Sequence, residues 1–210
     1  MNRRYFNVSA LGLFLSASFA IQAGGQATVL VVGDSLSAEY GLKRGTGWVA
    51  LLDRRLRDDG KAITLVNASI SGDTTSGGLS RLPALLAQHQ PQVVIIELGG
   101  NDALRGLQLK TSQGNLESMV KAAQAQGAKV LLLGMQVPPN YGAQYAAEFI
   151  AMYADIAKRH KATLVPFFLK GVADAADADK LFQSDRIHPV EAAHPILLNN
   201  VLPALSKLLP

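Results

Sequence analysis

Five short apolar runs, separated by longer stretches with helical spacing, constrain this chain more than any other feature of it. The runs are TVLVVG at 28–33, AITLV at 62–66, QVVIIEL at 92–98, AKVLLLG at 128–134 and a weaker ATLVPFF at 162–168. Their near-continuous Val, Ile and Leu content is that of strands covered on both faces. The spacing between them predicts helices near 46–58, 77–89, 111–126, 142–160 and 192–208. Parallel neighbours need long crossovers, and those crossovers are right-handed, so the alternation predicts an α/β fold with three α/β/α layers around a parallel sheet of about five strands. With 210 residues, 49% of them hydrophobic, the chain can bury one sizeable core. A single domain over 24–210 is expected, since no linker, repeat or low-complexity segment divides it.

Open parallel sheets bind ligands beyond the carboxyl ends of their strands, near the point where strand order reverses. Four strand ends therefore carry the functional question: Gly33-Asp34-Ser35, then Asn67 to Asp73, then Gly99-Gly100-Asn101-Asp102, then Met135 to Asn140. Three of the four are polar and glycine-bearing. Gly33, just before Asp34, permits the turn that presents Ser35. A serine at a strand end is ordinarily a cap or turn residue, and it becomes a nucleophile only where a base can take its proton.

Of four histidines, His89 and His160 sit at the polar ends of predicted helices, where capping is ordinary. His188, in SDRIHP, has Asp185 three residues before it. That separation lets the carboxylate reach Nδ1 and leaves Nε2 free, while Pro189 keeps His188 extended. His194 is the rival base, with only Glu191 three residues before it, a pair that would lie on a helix surface. Acyl transfer also needs donors for the developing oxyanion. The backbone N–H groups of Ser35 and Gly72 and the side-chain amide of Asn101 are candidates from three strand ends.

GDSLSAEYG, ISGDTTSGG, ELGGNDALRG and SDRIHP, in that order and spacing, resemble the four blocks of the SGNH (GDSL-type) hydrolase family. Within it the likeness is to the periplasmic multifunctional thioesterase, protease and lysophospholipase group of Gram-negative bacteria, and it spans roughly residues 27 to 208. The resemblance implies a flavodoxin-like sheet, Ser35 as nucleophile, His188 as base, Asp185 as its orienting acid, and Ser35, Gly72 and Asn101 as oxyanion hole. It further implies hydrolysis of aryl and alkyl esters, lysophospholipids and fatty acyl thioesters through an acyl-enzyme, with no metal and no cofactor. Two positions depart from the usual pattern. Arg186 stands where glycine is usual, which bears on loop shape, and Glu39 stands where a smaller residue is common, which bears on the polarity of the entrance.

Leu104, Leu107, Pro139 and Tyr141 follow strand ends and are candidates for lining an acyl groove, although ordinary packing accounts for them equally well. Two other functions fit the same pattern of strands. One is an O-acetylesterase acting on carbohydrate or peptidoglycan. The other is a non-catalytic flavodoxin-like binding module, which the absence of a phosphate loop after the first strand disfavours.

The first 23 residues, with Arg3 and Arg4, no acid and the run LGLFLSASFAIQA, read as an export signal cleaved after Ala20 or Ala23. The run is shorter than the ~20 residues a bilayer span needs, which argues against a membrane anchor. The chain has no cysteine, so lipoprotein acylation, disulfides, thiolate metal sites and a cysteine nucleophile are all excluded. Past residue 23, 18 basic residues face 16 acidic ones. So small a surplus, with acids interleaved among Arg54, Arg55 and Arg57, does not suggest nucleic acid. The expectation is a periplasmic or secreted monomer acting on a small acyl ester or thioester.

Overall fold

The computed structural model describes residues 26–210, so the export signal expected over 1–23 lies outside the described residues. The strands are β1 (Ala27–Gly33), β2 (Ile63–Asn67), β3 (Val93–Glu97), β4 (Lys129–Leu133) and β5 (Thr163–Val165). The helices are α1 (Trp48–Asp58), α2 (Thr75–His89), α3 (Gly100–Leu104), α4 (Leu109–Ala125), α5 (Ala143–His160) and α6 (His194–Ser206). The sheet has the order β2-β1-β3-β4-β5, all parallel. The chain winds outward from β1 to β2 and then returns past it to β3. Right-handed crossovers therefore place α1 on one face and α2 on the other. Packing follows suit: α1 lies against α6, while α2, α4 and α5 form the opposite layer.

The core is the strand interior. Val29 to Val32, Val93 to Ile95 and Leu131 to Leu133 are wholly buried, each contributing about 1.5–3 kcal/mol relative to an exposed position. Helix α1 turns Trp48, Val49, Leu52 and Leu56 inward, the i, i+1, i+4, i+8 stripe of a helix covering a sheet. Register places Val31 beside Asn67 on one side and Ile95 on the other. The carboxyl ends of the three strands thus emerge side by side, with the switch point between β1 and β3.

The ends of most helices shift by one or two residues, and three further points differ from the sequence reading. The last strand stops at Val165, because Pro166 has no N–H to continue a ladder. Helix α3 spans five residues, too few to show a period. The last helix begins at His194, after a single 3₁₀ turn over Glu191–Ala193.

Candidate active site

Ser35 leaves β1 on a tight turn. The N–H groups of Ser37 and Ala38 donate to the Asp34 carbonyl, and Leu36 N–H donates to Asp34 Oδ1 at 3.0 Å. Gly33 does not serve this turn through a left-handed backbone, because its φ lies outside that region. Its role is close approach, for a Cβ there would stand 2.8 Å from Ser37 Oγ and 2.9 Å from Glu97 Oε2. Asn67, at the end of β2, fastens the turn from the side by donating to the Ser37 carbonyl at 2.8 Å.

Across 153 residues of chain, His188 Nε2 lies 2.8 Å from Ser35 Oγ. His188 Nδ1 is 2.7 Å from Asp185 Oδ2, while Asp185 Oδ1 accepts the N–H groups of Ile187 at 2.9 Å and His188 at 3.0 Å. Those donors, the His188 N–H foremost and its imidazole next, hold the Asp185 carboxyl down at about 2. A carboxylate only accepts, so Nδ1 carries the proton, Nε2 is the acceptor, and Ser35 O–H donates to it. The Tyr40 ring lies against the imidazole with centroids 4.2 Å apart. Gln183 ties the two loops together by donating from Nε2 to the carbonyls of Tyr40 (2.9 Å) and Pro189 (3.1 Å).

Arg186 resolves its departure from the family pattern in an informative way. Its φ is +58°, the left-handed region where glycine is the unstrained choice. The loop keeps the glycine-type shape despite carrying an arginine, and Asp185 and His188 still meet. Glu39 also has a positive φ, +60°. Its carboxylate turns back to accept the N–H groups of Gly45 (3.0 Å) and Gly47 (2.8 Å) at the start of α1.

Gly72 has φ +78°, and its carbonyl accepts Arg105 Nη2 at 2.7 Å. Arg81, from α2, braces the same loop through Asp73 at 2.8 Å and through the carbonyls of Ala68 and Gly33. The backbone N–H groups of Ser35 and Gly72 have no acceptor among the described residues. Asn101, in the first turn of α3, gives one amide hydrogen to Asp34 Oδ2 at 3.0 Å and the other to the Asp73 carbonyl at 2.9 Å. Its amide thus bridges the neighbour of Ser35 to the neighbour of Gly72, which brings the three donor stations together. At rest, however, both Asn101 hydrogens are already engaged.

The other candidates lie elsewhere. His194 is buried, accepts Trp48 N–H on Nδ1 at 3.0 Å, and has its basicity lowered by desolvation. That contact orients it toward α1. His160 contacts Glu117 at 3.0 Å. Leu104 and Leu107 are exposed just past Asn101. Pro139 and Tyr141 sit on the 3₁₀ turn after β4, where Tyr141 begins an aromatic row through Tyr145 and Phe149 to Tyr153. Sequence reasoning missed Glu97, a fully buried acid closing an apolar strand. A carboxyl in such a run is the outlier that marks it.

Comparisons with known proteins bear on the family and the fold. Residues 31–196 match the model of the GDSL-like lipase/acylhydrolase family. Esterase TesA of Pseudomonas aeruginosa is 54% identical over 202 residues, covering 94% of this chain and 98% of its own. Thioesterase 1/protease 1/lysophospholipase L1 of Escherichia coli is 42% identical over 170 residues, covering 81% and 79% respectively. A crystal structure of TesA superposes with a TM-score of 0.83 at 56% identity, covering 87% of this chain and 99% of that one.

Proposed function

The chain belongs to the GDSL-like lipase/acylhydrolase family and is an ester and thioester hydrolase, and from that premise we propose that it works through an acyl-enzyme on Ser35, with His188 as base and Asp185 as the acid that orients it. The observation that carries this reading is the unbroken path from Asp185 through His188 to Ser35, at 2.7 Å and 2.8 Å. His188 Nε2 takes the Ser35 proton as Oγ adds to the carbonyl carbon. The oxyanion is met by the N–H groups of Ser35 and Gly72, with Asn101 as third donor once the substrate oxygen draws one amide hydrogen from its resting partner. His188 then gives its proton to the leaving alcohol or thiol. Water, activated by the same imidazole, releases the acid.

The substrates are small acyl esters and thioesters, lysophospholipids and fatty acyl thioesters among them. Exposed Leu104 and Leu107, with Pro139 and Tyr141 at the next strand end, support an acyl groove beside Asn101. The basic, apolar first 23 residues support export to the periplasm. No described helix is long and apolar enough to cross a membrane, and the mature domain, 24–210, is proposed to act as a monomer.

The test is an acyl-chain series of p-nitrophenyl esters and acyl-CoA thioesters on the mature protein. Ser35→Ala is expected to lower kcat on the order of a millionfold; full activity in that variant would overturn the assignment. His188→Ala is expected to abolish turnover and His194→Ala to spare it. Faster turnover of acetylated sugars than of long-chain esters would move the substrate class to O-acetylated carbohydrate.

A further inference from the structure

Beneath the nucleophile turn lie two carboxyl groups that the reaction scheme leaves unused. Asp34 is 3% exposed and Glu97 is 1% exposed. They are bound into one network, in which Glu97 Oε2 accepts the Ser37 hydroxyl at 2.8 Å and the Asp34 N–H at 3.3 Å. Trp48 Nε1 donates to Ser37 Oγ at 3.2 Å, which fixes the direction of the relay: the Ser37 O–H must point at Glu97. Oε2 is therefore an acceptor twice over. The other oxygen, Oε1, is buried with no partner among the described residues.

Two ionised carboxylates side by side in a water-excluded pocket repel, and an ionised oxygen with no donor is costly. One proton removes both problems. Placed on Glu97 it neutralises the orphaned oxygen and ends the repulsion between the two acids. Asp34 is the natural holder of the remaining charge, because its Oδ1 accepts Leu36 N–H and its Oδ2 accepts the Asn101 amide, both at 3.0 Å. Glu97 also receives two donors, but both fall on Oε2 and leave Oε1 bare.

We propose that Asp34 and Glu97 share a single proton, held on Glu97, and that the ionised Asp34 is a positioning residue that aims the Asn101 amide at the reacting carbonyl. This deepens the proposed function and rests on it for the role of Asn101. Burial pushes both carboxyls up, Glu97 well above the usual range and Asp34 to about 6, the latter restrained by the Leu36 N–H, the His188 charge, Glu97 and Asn101. The order of the two matches the assignment. Tyr153, buried and donating to the Leu98 carbonyl at 2.9 Å, is the other titratable group facing Glu97. It stays a neutral phenol, because burial foremost and the nearby acids next raise it. The arrangement limits the fixed charge under the oxyanion to one unit and keeps it where it also favours the imidazolium formed on His188.

The experiment joins infrared spectroscopy to kinetics. At neutral pH the wild-type protein should show the C=O stretch of one buried protonated carboxyl, and Glu97→Gln should lose it. Absence of the band in the wild type, or its survival in Glu97→Gln, would overturn the assignment of the proton. Glu97→Ala should lower kcat by about tenfold or more, with Glu97→Gln restoring most of it, since a neutral amide reproduces both donor and acceptor. Failure of Gln to rescue would mean that charge, not a shared proton, is needed there. Asp34→Asn should lower kcat by about tenfold to a hundredfold, with KM little changed. Combined with Asn101→Ala it should cost little more than Asn101→Ala alone, because Asp34 acts through that amide; full additivity would refute the positioning role. Should Asp34→Asn not fold, the band and the Glu97 pair still decide the proton's place, and Asp34→Glu replaces it in the cycle. Ser35→Ala is run in parallel. Retained activity there would sink the catalytic scheme without touching the infrared band, whereas a missing band beside an inactive Ser35→Ala would sink this inference alone.

Discussion

Replacing Asp185 by asparagine tests the orientation of the base at the level of one proton. Asp185 receives three donors: two backbone N–H groups on Oδ1, at 2.9 Å and 3.0 Å, and the imidazole Nδ1–H on Oδ2 at 2.7 Å. Asparagine has a single carbonyl oxygen. Two backbone donors outweigh one ring donor, so that oxygen settles toward Ile187 and His188 and the NH2 faces Nδ1. The amide then donates where the carboxylate accepted, so Nδ1 must be the bare nitrogen and Nε2 must carry the proton. Turned toward Ser35, Nε2–H cannot take the hydroxyl hydrogen. The expected loss in kcat is about a thousandfold to ten-thousandfold, or roughly 4–5.5 kcal/mol of barrier, with KM for a p-nitrophenyl ester nearly unchanged. Asp185→Ala should be no worse, because it imposes no tautomer and the site, with the Asp185 side chain 35% exposed, admits water to Nδ1. Initial rates for the three proteins, normalised to active sites, decide the matter. A loss under tenfold in Asp185→Asn, or an alanine variant far worse than the asparagine one, would refute the tautomer argument.

Arg186→Gly relieves a left-handed residue, at φ +58°, of roughly 1–2 kcal/mol, offset in part by the entropy of glycine in the unfolded chain. Thermal unfolding should rise by about 1–4 °C with turnover retained; a lower midpoint would show that the arginine side chain stabilises the loop. His194→Ala strips the acceptor from buried Trp48 N–H and should cost about 2–4 kcal/mol in denaturant unfolding, while activity per folded molecule persists. The Asp34 and Glu97 carboxyls are raised in the folded state, so the stability they contribute is full below the unfolded carboxylate range of about 4 and is lost as pH rises through about 6 for Asp34. The thermal midpoint should therefore fall between about pH 4 and pH 6 more steeply in the wild type than in Asp34→Asn, and equal slopes would contradict the burial of that charge.

What the sequence made legible follows from which forces are local. The five apolar runs appear as five strands within a residue or two, apart from the last, which a proline cuts short. Ser35, Gly72 and Asn101 were readable as candidates because strand ends are marked by an abrupt change from apolar to polar, and Asp185 and His188, well past the last strand, by their three-residue spacing ahead of Pro189. Long-range commitments were not. Nothing near Glu39 says that its carboxylate will turn back to the start of α1, and nothing near His194 says that Trp48 will claim it. The pairing of Asp34 with Glu97 joins positions 63 residues apart, and the prior engagement of Asn101 by Asp34 and Asp73 reaches across three strand ends. Such contacts exist only once the sheet has set the register.

The bond between Ser35 and His188 closes over 153 residues, and that span has a consequence in time. A chain emerging N-terminus first presents its serine, then the Gly72 loop, then Asn101, all before any base exists. In the proposed scheme, truncated or half-made molecules would hold a nucleophile without its base. Activity would wait for the final stretch that brings Asp185 and His188. The order of residues along the chain would then act as a safety catch, released by completion of the fold itself.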